Sequence, residues 1–154
     1  MKRREFLGSI AAAAGTGALA GCLSSPGGGG DDGDDGDGGG GGSPSVSDRS
    51  IETTDAACGS GGDASVSYED ESVLVRGSLS ASDPCHHAEL KSAEYDAGSD
   101  TLTVSVAAVE NEDADMCSQC VAAVDYEARI EFDGGLPGSV VVEHDGQEVT
   151  TGSR

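Results

Sequence analysis

The stretch VAAVDYEARIEF, residues 121–132, decides the fold class because apolar and charged residues alternate along it. One set of alternating positions is apolar or aromatic and comprises Val124, Tyr126, Ala128, Ile130 and Phe132. The positions between them are charged and comprise Asp125, Glu127, Arg129 and Glu131. Successive side chains of a strand point to opposite faces of a sheet, so the pattern predicts an antiparallel strand with one buried and one solvated face.

Shorter strand-like segments lie on both sides of this stretch and are separated by turn signals. They cover residues 64–68, 72–79, 89–96, 101–109, 139–144 and 147–151. The dipeptide Asp145-Gly146 predicts a hairpin between the last two. Six or seven short strands without a convincing long helix predict an all-β fold, a small antiparallel β-sandwich. An immunoglobulin-like arrangement is one form of that prediction, and a small β-barrel is the alternative.

Composition divides the chain into three parts. Residues 1–21 have the features of an export signal. Residues 22–48 consist almost entirely of Gly, Asp, Ser and Pro, which cannot bury a core and predict a disordered linker. Residues 49–154 form the predicted sandwich domain. Its few aromatic residues imply a thin core, and thin cores usually need a covalent staple such as disulfides.

The first 22 residues predict both an export route and a membrane anchor. Arg3 and Arg4 lie in a basic segment that resembles the twin-arginine export motif. The mildly apolar residues 6–20 are shorter than the roughly 20 residues of a membrane-spanning helix. The following tetrapeptide, LAGC, resembles a lipobox and makes Cys22 the predicted lipidation site. We therefore expect the domain to lie on the outer face of the membrane, although a chance cysteine behind an ordinary signal and an uncleaved anchor are alternatives.

The chain is strongly acidic, with a formal charge of −21 over 154 residues. Removal of residues 1–21 leaves five basic and 28 acidic residues, so the remaining chain has a charge of about −23. Such a surface repels phosphate groups, which excludes a nucleic-acid partner. Self-repulsion is screened at molar salt, where the Debye length falls to about 3 Å. The acidic, lysine-poor composition therefore favours a protein adapted to very high salt.

Four cysteines remain once Cys22 is set apart as the lipidation site: Cys58, Cys85, Cys117 and Cys120. An even number in an exported domain predicts two disulfides, and three pairings are possible. The alternative is a Zn²⁺ or copper site that uses Cys85, His86, Cys117 and Cys120. A redox-active Cys117-x-x-Cys120 pair is a third hypothesis, although no thioredoxin-like βαβ pattern surrounds it.

Taken together, these features resemble twin-arginine-exported lipoproteins of halophilic archaea that carry a small cysteine-containing domain. The matching motifs are Pro84-Cys85-His86, Cys117-Ser118-Gln119 and Leu136-Pro137, within about 70 residues. The resemblance implies that Cys85 pairs with Cys117, which leaves Cys58 with Cys120. It implies no activity.

The predicted function is a non-enzymatic module that binds a partner or serves the cell envelope, because the sequence has no nucleophile elbow, HExxH motif or phosphate loop. We predict no cofactor and no catalytic residue, a membrane attachment through the lipid, and a protein or surface partner that the sequence does not identify. An exported metal-binding or thiol-redox lipoprotein is the alternative function.

Overall fold

The computed structural model describes residues 42–154, which form eight β-strands. The strands are β1 (Ser45–Cys58), β2 (Ala64–Tyr68), β3 (Ser72–Ala81), β4 (His86–Asp96), β5 (Thr101–Glu110), β6 (Ala122–Asp133), β7 (Ser139–His144) and β8 (Gln147–Ser153). They form two four-stranded sheets, ordered β1-β6-β3-β2 and β4-β5-β7-β8. The predicted all-β sandwich is thus confirmed, and because the two sheets do not close on each other the barrel alternative is wrong.

Several predictions made from the sequence fall on residues that the structure does not describe. They are the signal at residues 1–21, the export residues Arg3 and Arg4, the lipidation site Cys22 and most of the linker. Within residues 42–154, no helix has the length and apolarity needed to cross a membrane.

Strand β6 is the organising strand of the first sheet and pairs antiparallel with both β1 and β3. Its apolar positions are buried in alternation, as the sequence predicts. They pack against inward-facing residues of the second sheet, where Leu102, Val104 and Val142 are also fully buried. The core is therefore a layer of mostly aliphatic side chains between the sheets, with Tyr126 as its largest fully buried member.

Strand β1 is the longest strand and was not predicted, and it begins at Ser45, within the segment predicted to be a linker. Its inward-facing apolar residues are Val46, Ile51 and Ala56, five residues apart instead of an even number. Two register irregularities, between Val46 and Asp48 and between Thr53 and Asp55, each insert one extra residue. Each extra residue turns the next apolar side chain back toward the core. The apolar residues of the strand therefore do not alternate regularly, and the sequence pattern does not reveal it.

The second sheet is mixed rather than purely antiparallel. Strand β5 pairs antiparallel with β4 but parallel with β7, so that Thr101 lies beside Ser139. Residues 134–138 carry the chain from β6 in the first sheet to β7 in the second. Strand β7 then starts beside the start of β5 and runs in the same direction. The strand order also differs from the immunoglobulin arrangement of A-B-E-D and C-F-G sheets, so that form of the prediction is wrong.

The sheet edges lie close to each other on both sides of the sandwich. On one side the backbone N–H of Ala88 in β4 donates to Thr53 Oγ1 in β1, at 2.8 Å. On the other side β8 approaches β2 so closely that a Cβ on Gly152 would lie 2.8 Å from Val66 Cβ. Glycine at this position is what allows the two edges to meet.

Candidate functional site

Two disulfides lie at one end of the sandwich. Cys58 is bonded to Cys120 and Cys85 to Cys117, each with a Cα–Cα distance of 5.7 Å. This is the pairing that the resemblance to exported lipoproteins implies. The bridges close loops of 62 and 32 residues, and chain-entropy reasoning assigns each about 4 kcal/mol of stabilisation.

Both bridges attach to one segment, residues 111–121, which we call the clamped loop. The clamped loop connects β5 in the second sheet to β6 in the first. Its Cys120 is bonded to the last residue of β1, and its Cys117 is bonded to Cys85, immediately before β4. The loop is therefore fixed covalently to both sheets. A backbone hydrogen bond of 2.8 Å from Asn111 N–H to the Cys85 carbonyl adds a third attachment.

Polar groups surround the Cys85–Cys117 bridge. The carboxylate of Asp83 accepts a hydrogen bond from the Cys85 backbone N–H at 2.9 Å, and it lies 3.0 Å from His86 Nδ1. The Cys85 N–H, followed by His86, lowers the pKa of Asp83 below its ordinary value. One carboxylate oxygen of Asp83 and the sulfurs of Cys85 and Cys117 all lie within 4.8 Å of one another.

The arrangement does not form the metal site that the sequence offered as an alternative. Cys85, Cys117 and Cys120 are all in disulfides, so none of them provides a thiolate. Cys120 belongs to a different bridge from the other two cysteines. The interpretation of Cys117-x-x-Cys120 as a redox-active pair is also wrong, because the two cysteines form disulfides with separate partners rather than with each other.

The clamped loop carries exposed apolar side chains that the sequence analysis did not single out. Met116 is 93% exposed and Val121 is 62% exposed. Among residues 42–154 these are the two large hydrophobic side chains that are exposed, and both lie in the same loop. Three acidic residues precede Met116 in the clamped loop, namely Glu112, Asp113 and Asp115. Large contiguous apolar patches mark interaction sites, whereas single exposed apolar side chains are normal, so these two residues only identify the clamped loop as the place where such side chains lie.

A second feature missed from the sequence is a hydrogen-bonded pair in the core. His144 ends β7, as the predicted hairpin requires, and the turn residues Asp145 and Gly146 have φ values of 50° and 84°. Its ring is nevertheless buried, with Nε2 at 2.8 Å from the Tyr126 hydroxyl. Burial lowers the pKa of His144 and raises that of Tyr126. Alternation along β7 places His144 on the face of Val140 and Val142, which is the signal that could have revealed it.

The opposite end of the sandwich contains an acidic surface pocket of about 340 Å³. It lies between the β2–β3 turn, the start of β1 and the end of β6, and its acidic lining residues are Glu69, Asp70, Glu71, Glu131 and Asp133. Arg129 crosses the pocket and donates to Glu69 Oε2 at 2.6 Å and to Ser72 Oγ at 2.9 Å. The Ser72 hydroxyl also donates to Glu69 Oε2, at 3.2 Å. The Glu69 carboxylate thus has hydrogen-bond donors within the protein, and the pocket contains an ordinary solvated ion pair.

Comparisons with protein-family models, curated proteins and solved structures gave no match to this chain.

Proposed function

We propose that this chain is a membrane-anchored extracellular lipoprotein whose β-sandwich is a non-enzymatic module that binds a partner or serves the cell envelope. The observation that carries the proposal is the pair of disulfides that fixes the clamped loop to both sheets. Disulfides persist in oxidising compartments outside the cytoplasm. They agree with the export and lipidation motifs at Arg3, Arg4 and Cys22.

The position of the clamped loop supports a role in recognition. The chain enters the domain at Ser45, which pairs with Asp133, whereas Cys58 at the other end of β1 pairs with Ala122. The strand has 14 residues, which corresponds to a length of about 43 Å at about 3.3 Å per residue. With a lipid on Cys22, the clamped loop lies at the end of the domain away from the chain's attachment to the membrane.

The loop also has the physical properties of a binding surface. Two covalent bonds restrict its conformations before any partner arrives, which lowers the entropy cost of binding. Met116 and Val121 offer apolar contact area on this restrained segment. The acidic residues that precede Met116 in the clamped loop favour a partner with a basic rim.

Fractionation of cells that express single-site variants tests the anchor. We expect Cys22→Ser to move the protein from the membrane fraction to the medium, because the thiol that accepts the lipid is lost. A matched Ser24→Ala variant leaves that thiol in place and should remain in the membrane. Retention of Cys22→Ser in the membrane would contradict the lipoprotein proposal.

A second experiment tests the export route independently of the anchor. Replacement of both Arg3 and Arg4 by Lys keeps the positive charge but removes the arginine pair. We expect the unprocessed chain to accumulate inside the cell, detected as a larger form that lacks the lipid. Normal processing of this variant would exclude the twin-arginine route while leaving the lipid anchor intact.

A further inference from the structure

The corner around the Cys85–Cys117 bridge brings together atoms that bind soft and borderline metal ions. Two sulfurs and one carboxylate oxygen lie within 4.8 Å of one another. Thiolate and carboxylate groups at such separations can converge on a single Zn²⁺, which binds sulfur at about 2.3 Å and carboxylate oxygen at about 2.0–2.2 Å. In the oxidised chain the sulfurs bond to each other and lack the negative charge that a metal ligand needs.

We propose that reduction of the Cys85–Cys117 disulfide converts this corner into a Zn²⁺ site formed by Cys85, Cys117 and Asp83, with water as the fourth ligand. A dithiol supplies two electrons and two protons: the Cys85–Cys117 bond breaks, each sulfur takes a proton, and the dithiol becomes a disulfide. Binding of Zn²⁺ then releases both thiol protons. This site goes beyond the proposed function and does not depend on the lipid anchor.

The surrounding structure keeps the three ligands together after the bond is broken. The backbone N–H of Gly59, the residue after β1, donates to the Val121 carbonyl at 3.0 Å, which holds the end of the clamped loop to β1 without depending on a disulfide. The Asn111–Cys85 backbone hydrogen bond holds the start of the loop beside Cys85. These contacts limit how far the sulfurs can separate.

The carboxylate is also held in place before the metal arrives. Asp83 accepts a hydrogen bond from the Cys85 backbone N–H, and His86 Nδ1 lies 3.0 Å from the same oxygen. The His86 side chain is only 15% exposed, so it restricts the carboxylate from the protein side. A metal ligand that is oriented by hydrogen bonds binds more tightly than a free one.

The test uses full-length chains carrying Cys22→Ser, reduced with a phosphine that is removed under nitrogen. Zn²⁺ is titrated by calorimetry, and Co²⁺ serves as a spectroscopic probe for thiolate ligands. The variant Cys58→Ser/Cys120→Ser keeps only the proposed pair, and Cys85→Ser/Cys117→Ser is its matched control. We expect one Zn²⁺ per chain and a thiolate-to-cobalt absorption band in the first variant after reduction, and neither in the second or in any oxidised chain.

A second comparison distinguishes the folded site from loose thiols in the chain that keeps all four cysteines of the domain. In the otherwise unsubstituted reduced chain, Asp83→Asn should weaken Zn²⁺ binding at least tenfold. Glu89→Gln, which removes an exposed carboxylate that contacts Lys91, should leave it unchanged. Absence of binding on reduction, equal binding by the two double variants, or equal affinity of Asp83→Asn and the unsubstituted chain would each overturn the proposal. None of these results affects membrane attachment, which the fractionation measures separately.

Discussion

The two ends of the sandwich are held by different forces. The cysteine-clamped end is fixed by two covalent bridges that join the clamped loop to both sheets. The linker end, where the chain enters at Ser45, is held by reversible polar contacts. These include the Arg129–Glu69 ion pair and a 2.8 Å hydrogen bond from Phe132 N–H to the Glu71 carbonyl. The covalent constraints of the domain therefore lie at the end opposite Ser45.

The difference also predicts how each end responds to salt. An exposed ion pair weakens as salt rises, because the Debye length shrinks from about 10 Å at 0.1 M to about 3 Å at 1 M. Disulfides and the aliphatic core do not depend on charge. The small contribution of the Arg129–Glu69 pair at the linker end should therefore weaken as salt rises, whereas the covalent constraint at the cysteine-clamped end should not.

The largest expected effect comes from removing the Cys58–Cys120 bridge by the double substitution to Ser. We expect the free energy of unfolding to fall by about 4 kcal/mol, since the unfolded chain regains the freedom of a long closed loop. Chemical denaturation measures the loss. Hydrogen exchange should accelerate most in the clamped loop, and a uniform acceleration across both ends would contradict the local role assigned to the bridge.

A slightly smaller effect is expected from Gly77→Ala, which crowds the core between the two ends. An added Cβ would lie 2.5 Å from the Tyr126 hydroxyl, so the tyrosine ring or the strand must shift. Overpacking of this kind costs about 1–3 kcal/mol. Gly59→Ala is the matched control, because its added Cβ would meet only Ala123 Cβ at an ordinary 3.7 Å. Equal stability of the two variants would show that the Tyr126 contact is not tight.

The buried His144 predicts a pH dependence of stability. Burial lowers its pKa in the folded state, while the neighbouring carboxylates of Asp145 and Asp63 oppose that shift. The unfolded chain, with an ordinary histidine pKa of about 6.5, then binds more protons. Its contribution to stability is therefore complete above about pH 6.5 and is lost as pH falls through the folded pKa, with a slope of at most about 1.4 kcal/mol per pH unit.

Unfolding measured between pH 7.5 and pH 5 in the unsubstituted chain and in His144→Leu isolates this contribution. The substitution should flatten the profile in that interval, whatever it does to stability at pH 7.5. Parallel profiles would show that His144 does not titrate differently in the folded state.

The smallest effect is expected at the linker end, from Arg129→Gln. The substitution removes the ion pair with Glu69, whose two side chains are each about two-fifths exposed. We expect a small decrease in the denaturation midpoint at low salt that disappears at molar salt. Arg76→Gln, which removes the exposed Arg76–Glu127 pair, is the control for a generic loss of charge. A decrease that persists at molar salt would contradict the assignment of reversible, screened contacts to this end.

Much of the fold could be predicted from sequence because most strands follow the two-residue pattern. Strand β6 shows it over its whole buried length, and the Asp145-Gly146 hairpin follows from residues that tolerate positive φ. Strand β1 could not be predicted, because its two bulges shift the phase of an already polar edge strand. The parallel pairing of β5 with β7 could not be predicted from a local pattern either, because the register between two distant strands is set by how the sheets pack.

The site was only partly predictable. The number of cysteines indicates two disulfides, whereas their pairing depends on which strand ends meet at one end of the sandwich. The exposure of Met116 depends on the conformation of the clamped loop, so no sequence pattern predicts it. The contact between His144 and Tyr126 joins two strands in different sheets, so neither residue alone predicts it.

The most direct measurement of the central claim is non-reducing peptide mass spectrometry of the chain purified from the membrane fraction. We predict a lipid-modified N-terminal peptide that begins at Cys22, together with two bridged peptides that contain Cys58–Cys120 and Cys85–Cys117. A Cys117–Cys120 bridge, or free thiols at Cys85 and Cys117 in the purified chain, would contradict the covalent clamp. An unmodified Cys22 would contradict the anchor.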